Sequence, residues 1–513
     1  MAKLLWYGAA AIAALLAIVL VAARLLLPSV ADKKDEIEAL LVRESGYTVR
    51  IEQVEGYWDY LYPGLRMRGI AVSDDSGQRP AVRMTELRFS LKILPLFVGR
   101  LDIHSAVLVQ PSFALERLED GRFQITGFGA SEQADPAQTE MFLAWLFRQR
   151  RVVMQEGELQ WLDRREPSRR LRFMHVNLQL RNSGDRHRLE ASAELPAGMC
   201  NGCSLAADIN GNPFLGEGLQ GDLYVRARDV DVERLPLALR EHLPEQLRGT
   251  YSVELWSTWK DSRPVSVNGE LAVADLRLPF TGLRAPLSVK QAATKLHWQG
   301  SADEFEMRLD NLRLALHGAP WSAGKLQFTR KSDATSLSIG RVELADITAF
   351  VAALRMDPAP GELPYEKLAP LWSGLGPAGT IKNLRVEVNG ALDAPEDYTL
   401  SADVEGLATA AYKEWPGVRG VSGRLRLTRD DGTLKLDMRN GALTLPAVFR
   451  APLPIARAAV ELRWGYEVDQ WVITAESLSL ENEDIKASGR MLFRLPDDAA
   501  RSPYLALNLE FHD

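Results

Sequence analysis

Few residues in this chain have the types and spacing that chemistry needs. Cys200 and Cys203 stand three apart in Met-Cys-Asn-Gly-Cys-Ser, a spacing that serves thiol–disulfide exchange or half of a zinc site. A zinc site needs about four ligands, and there is no second cysteine pair to complete one. No helical pattern follows Cys203, where a thioredoxin-like motif requires one. Asn201-Gly202 lies between two alternating runs, so the pair predicts a hairpin tip carrying a local disulfide in an oxidising compartment. Glu241-His242 lacks the second histidine of a zincin motif, Ser373 has no glycine two residues before it, and Gly127-Phe128-Gly129 stops short of a dinucleotide fingerprint. The histidines (His104, His175, His187, His242, His297, His317 and His512) show no metal-ligand spacing, and His104 and His175 read as ordinary strand residues. The adjacent acids at 74–75 and 430–431 fall on turns, where Asp is favoured for local hydrogen bonds. Trp256, Trp259, Trp298 and Trp464 lie in strand contexts, where aromatics are enriched. No catalytic residue, cofactor or metal is expected, and the chain reads as non-enzymatic.

The elements behind these residues are mostly strands. Leu223, Val225 and Ala227 alternate with Tyr224, Arg226 and Arg228, and Leu384, Val386 and Val388 alternate with Arg385, Glu387 and Asn389. The same period of two runs through Val176–Arg181 and Leu434–Arg439, the mark of strands with one apolar face. Asp74–Gly77, Glu119–Gly121 and Arg429–Gly432 read as turns. Helices are expected over Asp32–Ser45, Pro136–Arg151, Leu235–Leu243, Phe350–Leu354 and Lys367–Trp372. Val230–Glu233 followed by Gly249-Thr250 matches Leu344–Ile347 followed by Gly379-Thr380, which suggests a degenerate repeat and a quasi-linear stack. A sheet of this extent must either pack on a second sheet or curl so that its apolar face encloses itself. Alternation alone leaves both open, the packed sandwich being the commoner outcome.

Bulk properties bound the class. With 513 residues, 46% hydrophobic and 25% charged, the chain is too long for one core and too apolar for disorder. Its net charge is -7 with no basic stripe, so nucleic acid is not an expected partner. Leu4 to Ala23 carries no charge and can cross roughly 30 Å of hydrocarbon as a helix. Small residues at Val21–Ala23 and Ser29–Ala31 would suit a signal peptidase, but the apolar run exceeds a usual signal core of about 7–15 residues, which favours an uncleaved anchor.

Residues 91–123, LKILPLFVGRLDIHSAVLVQPSFALERLEDGRF, resemble the N-terminal signature of AsmA-like envelope proteins: a strand, Pro-Leu, Gly-Arg, a strand ending in proline, then a strand closed by Asp-Gly. Gly318-Ala319-Pro320-Trp321-Ser322-Ala323-Gly324, and Phe449-Arg450-Ala451-Pro452-Leu453 after Leu445-Pro446, resemble one member of that family. Gly46–Trp58 and the order of the repeats agree with it. The resemblance implies a mostly β fold: an N-terminal transmembrane helix, then a long, curved, largely antiparallel sheet with a few short helices. It further implies that the inner face of this open groove carries acyl chains, which tips the balance away from a sandwich. The implied segments are an anchor at 1–31, a helix/β segment at 32–130, and β-repeat regions at 131–248, 249–378 and 379–513. The implied function is transfer of phospholipid from a bacterial inner membrane, across the periplasm, toward the outer membrane. Outer-membrane or periplasmic proteins are then possible partners at the far end. The lipid-facing candidates are Leu223, Val225, Val253, Leu255, Leu271, Val273, Leu384, Val386, Leu434 and Leu436. The alternative is an anchored scaffold for outer-membrane protein biogenesis, whose sheet edges pair with client strands. Family members of this kind are longer, and Leu509–Asp513 stops within a strand pattern, so an N-terminal portion is expected.

Overall fold

The computed structural model describes residues 27–45, 47–73, 81–96, 102–121, 123–125, 147–196, 198–211, 218–241, 243, 248–278, 287–316, 319–347, 365–391, 394–413, 415–446, 449–497 and 501–512, with Trp6, Tyr7, Val21 and Arg24. Among these no helix is long and apolar enough to cross a membrane. Most of Leu4–Ala23 lies outside the described residues, as do the Asp74–Gly77 turn and the Phe350–Leu354 helix. Two compact units emerge: Met1–Leu243 with Ser252–Arg263, and Pro244–Tyr251 with Pro264–Asp513.

In the first unit, helix α1 (Lys34–Ser45) follows a 3-10 turn over Leu27–Lys33 and precedes strands β1 (Thr48–Asp59), β2 (Tyr62–Ser73) and β3 (Val82–Leu91). Ile37 and Leu41 pack, with Val30, on a core of Val49, Ile51, Val54, Met67 and Ile70. Glu38 Oε1 accepts from the Ile51 backbone N–H at 2.6 Å, so the helix is also tied to the first strand through a polar contact. The unit continues through β4 (Ile103–Val109), β5 (Ser112–Arg117), β6 (Phe123–Ile125), β7 (Arg151–Asp163), β8 (Arg170–Ser183), β9 (Arg186–Glu194), β10 (Cys203–Asn210), β11 (Gln220–Asp231) and most of β12 (Thr250–Lys260). β7 runs parallel to β4 and β5, while β7 through β11 pair antiparallel in order.

Two expectations are revised here. Of the helix expected over Pro136–Arg151, residues 136–146 lie outside the described residues; 147 and 148 are helical, and the helix stops short of Arg151, which opens a strand. Cys200 and Cys203 do form a disulfide. Their loop, however, is a long β9–β10 connection folded back on the end of β11, with Asn201 N donating to Arg228 O at 2.7 Å and Asp231 N to Met199 O at 3.1 Å. Met199 and Cys200 are buried by that contact.

A short helix, α2 (Leu237–Arg240), follows β11 where sequence placed one. Buried Arg117 holds this segment by pairing with Asp163 at 3.4 Å and with Glu241; Arg165 joins Glu241 at 3.2 Å, and Arg169 Nη1 donates to Leu235 O at 3.0 Å.

The second unit is simpler. Strands β13 (Arg263–Leu278), β14 (Leu287–Gly300), β15 (Phe305–Leu316), β16 (Ala319–Lys331) and β17 (Ala334–Glu343) lead to helix α3 (Tyr365–Leu375). β18 (Ala378–Ala391), β19 (Ala394–Thr409), β20 (Gly417–Thr428), β21 (Asp431–Thr444), β22 (Leu453–Glu467), β23 (Gln470–Glu481), β24 (Lys486–Pro496) and β25 (Tyr504–His512) follow. Each pairs antiparallel with the next, so the described strands of this unit form one meander, and the sandwich is not realised in it. The matched stretches share a local build: Gly249 (φ 117°) and Gly379 (φ 126°) both press on the backbone of a strand at a positive-φ residue, Asp275 in one case and Gly406 in the other.

Gly432, expected in a turn, instead lies inside β21 opposite Trp464, because the turn closes at Arg429-Asp430. A Cβ at Gly432 would meet Trp464 Cζ2 at 2.1 Å, so the indole lies across the glycine. Gly432→Ala should lower unfolding stability by about 1–3 kcal/mol through overpacking, measured by denaturant titration followed by tryptophan fluorescence.

Candidate functional site

Cross-strand register converts the period-two pattern into continuous rows. In the first unit one row runs Val54, Met67, Leu87, Leu108, Met154, Leu178, Ala191, Leu205, Val225, each residue directly opposite the next. A second row, Leu65, Phe89, Ala106, Val152, Leu180, Leu189, Ala207, Leu223, lies two residues away on the same face. Tyr224 and Trp256 have rings 5.1 Å apart, and Tyr224 Oη donates to Glu254 Oε1 at 3.0 Å. Those three therefore share the opposite face, which leaves Val253 and Leu255 on the face of Leu223 and Val225.

In the second unit the row Val267, Trp298, Met307, Phe328, Leu337, Val386, Leu400, Leu427, Gly432, Trp464, Ile473, Phe493, Leu505 crosses every strand from β13 to β25. At roughly 4.8 Å between strands, it extends about 58 Å. Leu434 stands between Leu425 and Leu462, and Leu436 between Gly423 and Val460. Leu271 and Val273 lie opposite Thr294 and Ala292, and Leu384 lies opposite Ile339. All ten candidates thus fall on the apolar face of their own unit. Sequence reasoning passed over Trp298, Phe328, Trp464 and Phe493 because each was judged within its own strand; only register shows that they share one row.

This face is not covered as a core would be. Between Leu384 and Leu436 the only described hydrophobic side chains that are buried are Ala402 and Val421; Val386, Leu400, Leu425 and Leu434 are half-buried. The opposite face carries charges in complementary register. Asp403 meets Arg424 at 2.8 Å, Lys435 meets Glu461 at 3.0 Å, and Lys290 meets Asp275 at 3.0 Å. One face is therefore solvated and self-neutralised, while the other is apolar and only partly filled.

Bulges interrupt these ladders repeatedly. Asn311 is skipped between Asp310 and Leu312, Asn383 between Lys382 and Arg385, and Asn440 sits at the break between Arg419 and Val421 of the neighbouring strand. Each has positive φ (55°, 51° and 50°), which Asn tolerates better than most side chains. A bulge bends its strand and increases local twist. Beyond the bulges of β19–β21, Leu407, Val418 and Leu443 turn to pack with Val421, Met438 and Ile455, forming a small closed cluster. Helix α3 lies against the same strand end, with Ala410 N donating to Leu375 O at 2.7 Å.

The carboxylate shift with the largest effect belongs to a surface cluster. Asp208 accepts from Arg186 at 2.7 and 2.6 Å and from Arg188 at 2.8 Å; mainly the Arg186 bond, then Arg188, lowers its pKa to about 2. A depressed carboxylate stabilises the fold above its unfolded pKa, and that contribution is lost as pH falls through about 2. Carboxyl NMR should find Asp208 titrating near pH 2, and Arg186→Gln should move the midpoint up toward the ordinary carboxylate range. Exposed His175, hydrogen-bonded to Glu156, is raised by that bond, and Glu156 is lowered by it. Among the described residues no group of His, Cys, Asp and Glu could hold a metal ion.

The chain is 22% identical over 530 residues to a protein of Escherichia coli (strain K12) named "Intermembrane phospholipid transporter YhdP"; the match covers 97% of this chain and 38% of that relative. No solved structure matches. The family described as YhdP protein matches residues 1–513, so the chain belongs to the YhdP family.

Proposed function

We propose that the apolar face carries phospholipid acyl chains, as part of a protein that moves phospholipid between bacterial membranes. The observation that carries this reading is the continuous apolar register from β13 to β25, mostly half-buried, with a polar and charged face behind it. The family membership and the relative's name support it. A sixteen-carbon chain gains ~12 kcal/mol on leaving water for apolar surroundings, so a face of this kind holds a lipid with no dedicated pocket. Adjacent rungs offer near-equivalent contacts about 4.8 Å apart, so movement from rung to rung exchanges like for like. The headgroup stays in water at the strand ends.

In this proposal the apolar segment Leu4–Ala23 anchors the chain in the inner membrane, the strands lie in the periplasm, and the bulges curl the sheet into an open groove directed toward the outer membrane. Nothing in the site asks for a reaction, and the chain acts as a carrier rather than an enzyme. Native mass spectrometry of the purified chain, with lipid extraction, tests this reading. Co-purifying phospholipid in near-stoichiometric or greater amount is expected. A folded chain free of lipid, and unable to take it up from vesicles, would contradict it.

A further inference from the structure

On the polar face of the second unit, many cross-strand neighbours carry opposite charges. Glu270, Lys295, Asp310 and Lys325 follow in one rung, and Lys382, Asp403 and Arg424 in another. Like charges also meet directly at Arg66–Arg88, Arg424–Lys435 and Arg439–Arg457, where Glu86, Asp403, Glu461 or Asp437 forms an ion pair; one rung of the first unit lacks an acid at two of its three arginines. Arg151 on β7 stands directly opposite Arg181 on β8, and Arg181 directly opposite Arg188 on β9, with exposed Arg150 preceding the rung. Like charges in direct register are destabilising, so the arrangement costs stability. Among the described residues no acidic side chain pairs with Arg150, Arg151 or Arg181. Arg181 is held by the neutral amide of Gln179, whose oxygen, turned toward the guanidinium, accepts from Nη2 at 2.7 Å and Nε at 2.8 Å. Arg188 shares its one acid, Asp208, with Arg186.

The next rung on the same face, Val153, Gln179 and Glu190, begins a shallow trough of about 470 Å³. Its lining includes Ser192, Ser204 and Tyr224. The arginines themselves lie within three residues of their strand ends, at the margin of the sheet. A concentrated, exposed set of guanidinium forks beside an open trough matches the chemistry of a phosphate oxyanion carrying an ester substituent.

We propose that the Arg151–Arg181–Arg188 rung, with Arg150, is a phosphate-binding site. The phosphate can belong to a phospholipid headgroup leaning over the sheet margin or to a soluble phosphate. Only the headgroup case rests on the carrier reading above.

Phosphorus NMR on the full chain, purified in a phosphorus-free detergent, separates the two. One titration uses inorganic phosphate, and the other uses dihexanoylphosphatidylglycerol below its micelle concentration. Broadening of the lipid signal alone assigns the site to headgroups; broadening of both assigns it to phosphate in general. In either case Arg151→Gln/Arg181→Gln should weaken binding at least about tenfold, since two of the forks are gone. That variant should unfold at the same or a higher temperature than the native chain, because it removes like-charge repulsion, so lost binding would not reflect lost structure. Should the double variant fail to fold, Arg151→Gln alone, at the first residue of its strand, gives the same comparison. No broadening of either signal, or equal broadening in the variant, would overturn the proposal. Inorganic phosphate has no acyl chain, so failure of this site and failure of lipid co-purification are separate results.

Discussion

Val386→Glu is expected to strip the chain of phospholipid while leaving it folded. Val386 stands between Leu337 and Leu400 at the middle of the long row, is half-buried, and belongs to neither buried cluster found among the described residues. Substitution at such a position changes folding stability by about 1 kcal/mol. A lipid tail lying over the glutamate would have to desolvate an unpaired carboxylate or force its protonation, a cost of several kcal/mol. Each 1.4 kcal/mol is about tenfold in affinity, so lipid recovered per chain should fall at least tenfold. Extraction and mass spectrometry give the lipid load, and circular dichroism with thermal melting reports the fold. Leu436→Glu is a harsher version, because Leu436 also touches the Val421–Met438–Ile455 cluster.

Ile455→Ala should do the reverse. Ile455 is 2% exposed and packs with Val421 and Met438 beyond the bulges. Truncating a fully buried isoleucine removes its transfer free energy and leaves a cavity, for a loss of about 3 kcal/mol. The effect should appear as a lower denaturation midpoint of the second unit. Lipid load per folded chain should stay near that of the native protein, because the cluster is already filled by protein. The two variants together separate residues that hold the sheet from residues that face a guest. Equal effects of both on stability and lipid load would mean that the apolar face is simply core.

Much of this was legible in the sequence, for a physical reason. Alternation is a property of one strand, so Leu384, Val386 and Val388 declared their shared face without reference to neighbours. Helices were also expected at Asp32–Ser45 and Lys367–Trp372, where the structure has Lys34–Ser45 and the longer Tyr365–Leu375. Register was not visible, because it is set by turn closure and bulges. Gly432 read as a turn residue until the pairing of β21 with β22 placed it under Trp464. Asn383 and Asn440 gave no signal inside apolar runs, yet they are where the ladders break. The arginine rung was hidden for the same reason: Arg151, Arg181 and Arg188 belong to three strands, and nothing in their local sequence says that they meet.

The most direct test of a lipid-carrying face uses adjacent residues of one strand that point to opposite faces. Benzoylphenylalanine would be incorporated at Val386 and, separately, at Glu387, and the chain photolysed in living cells. Phospholipid adducts from position 386, with few or none from 387, are the predicted result. Equal adducts from both positions, or none from 386, would contradict the account.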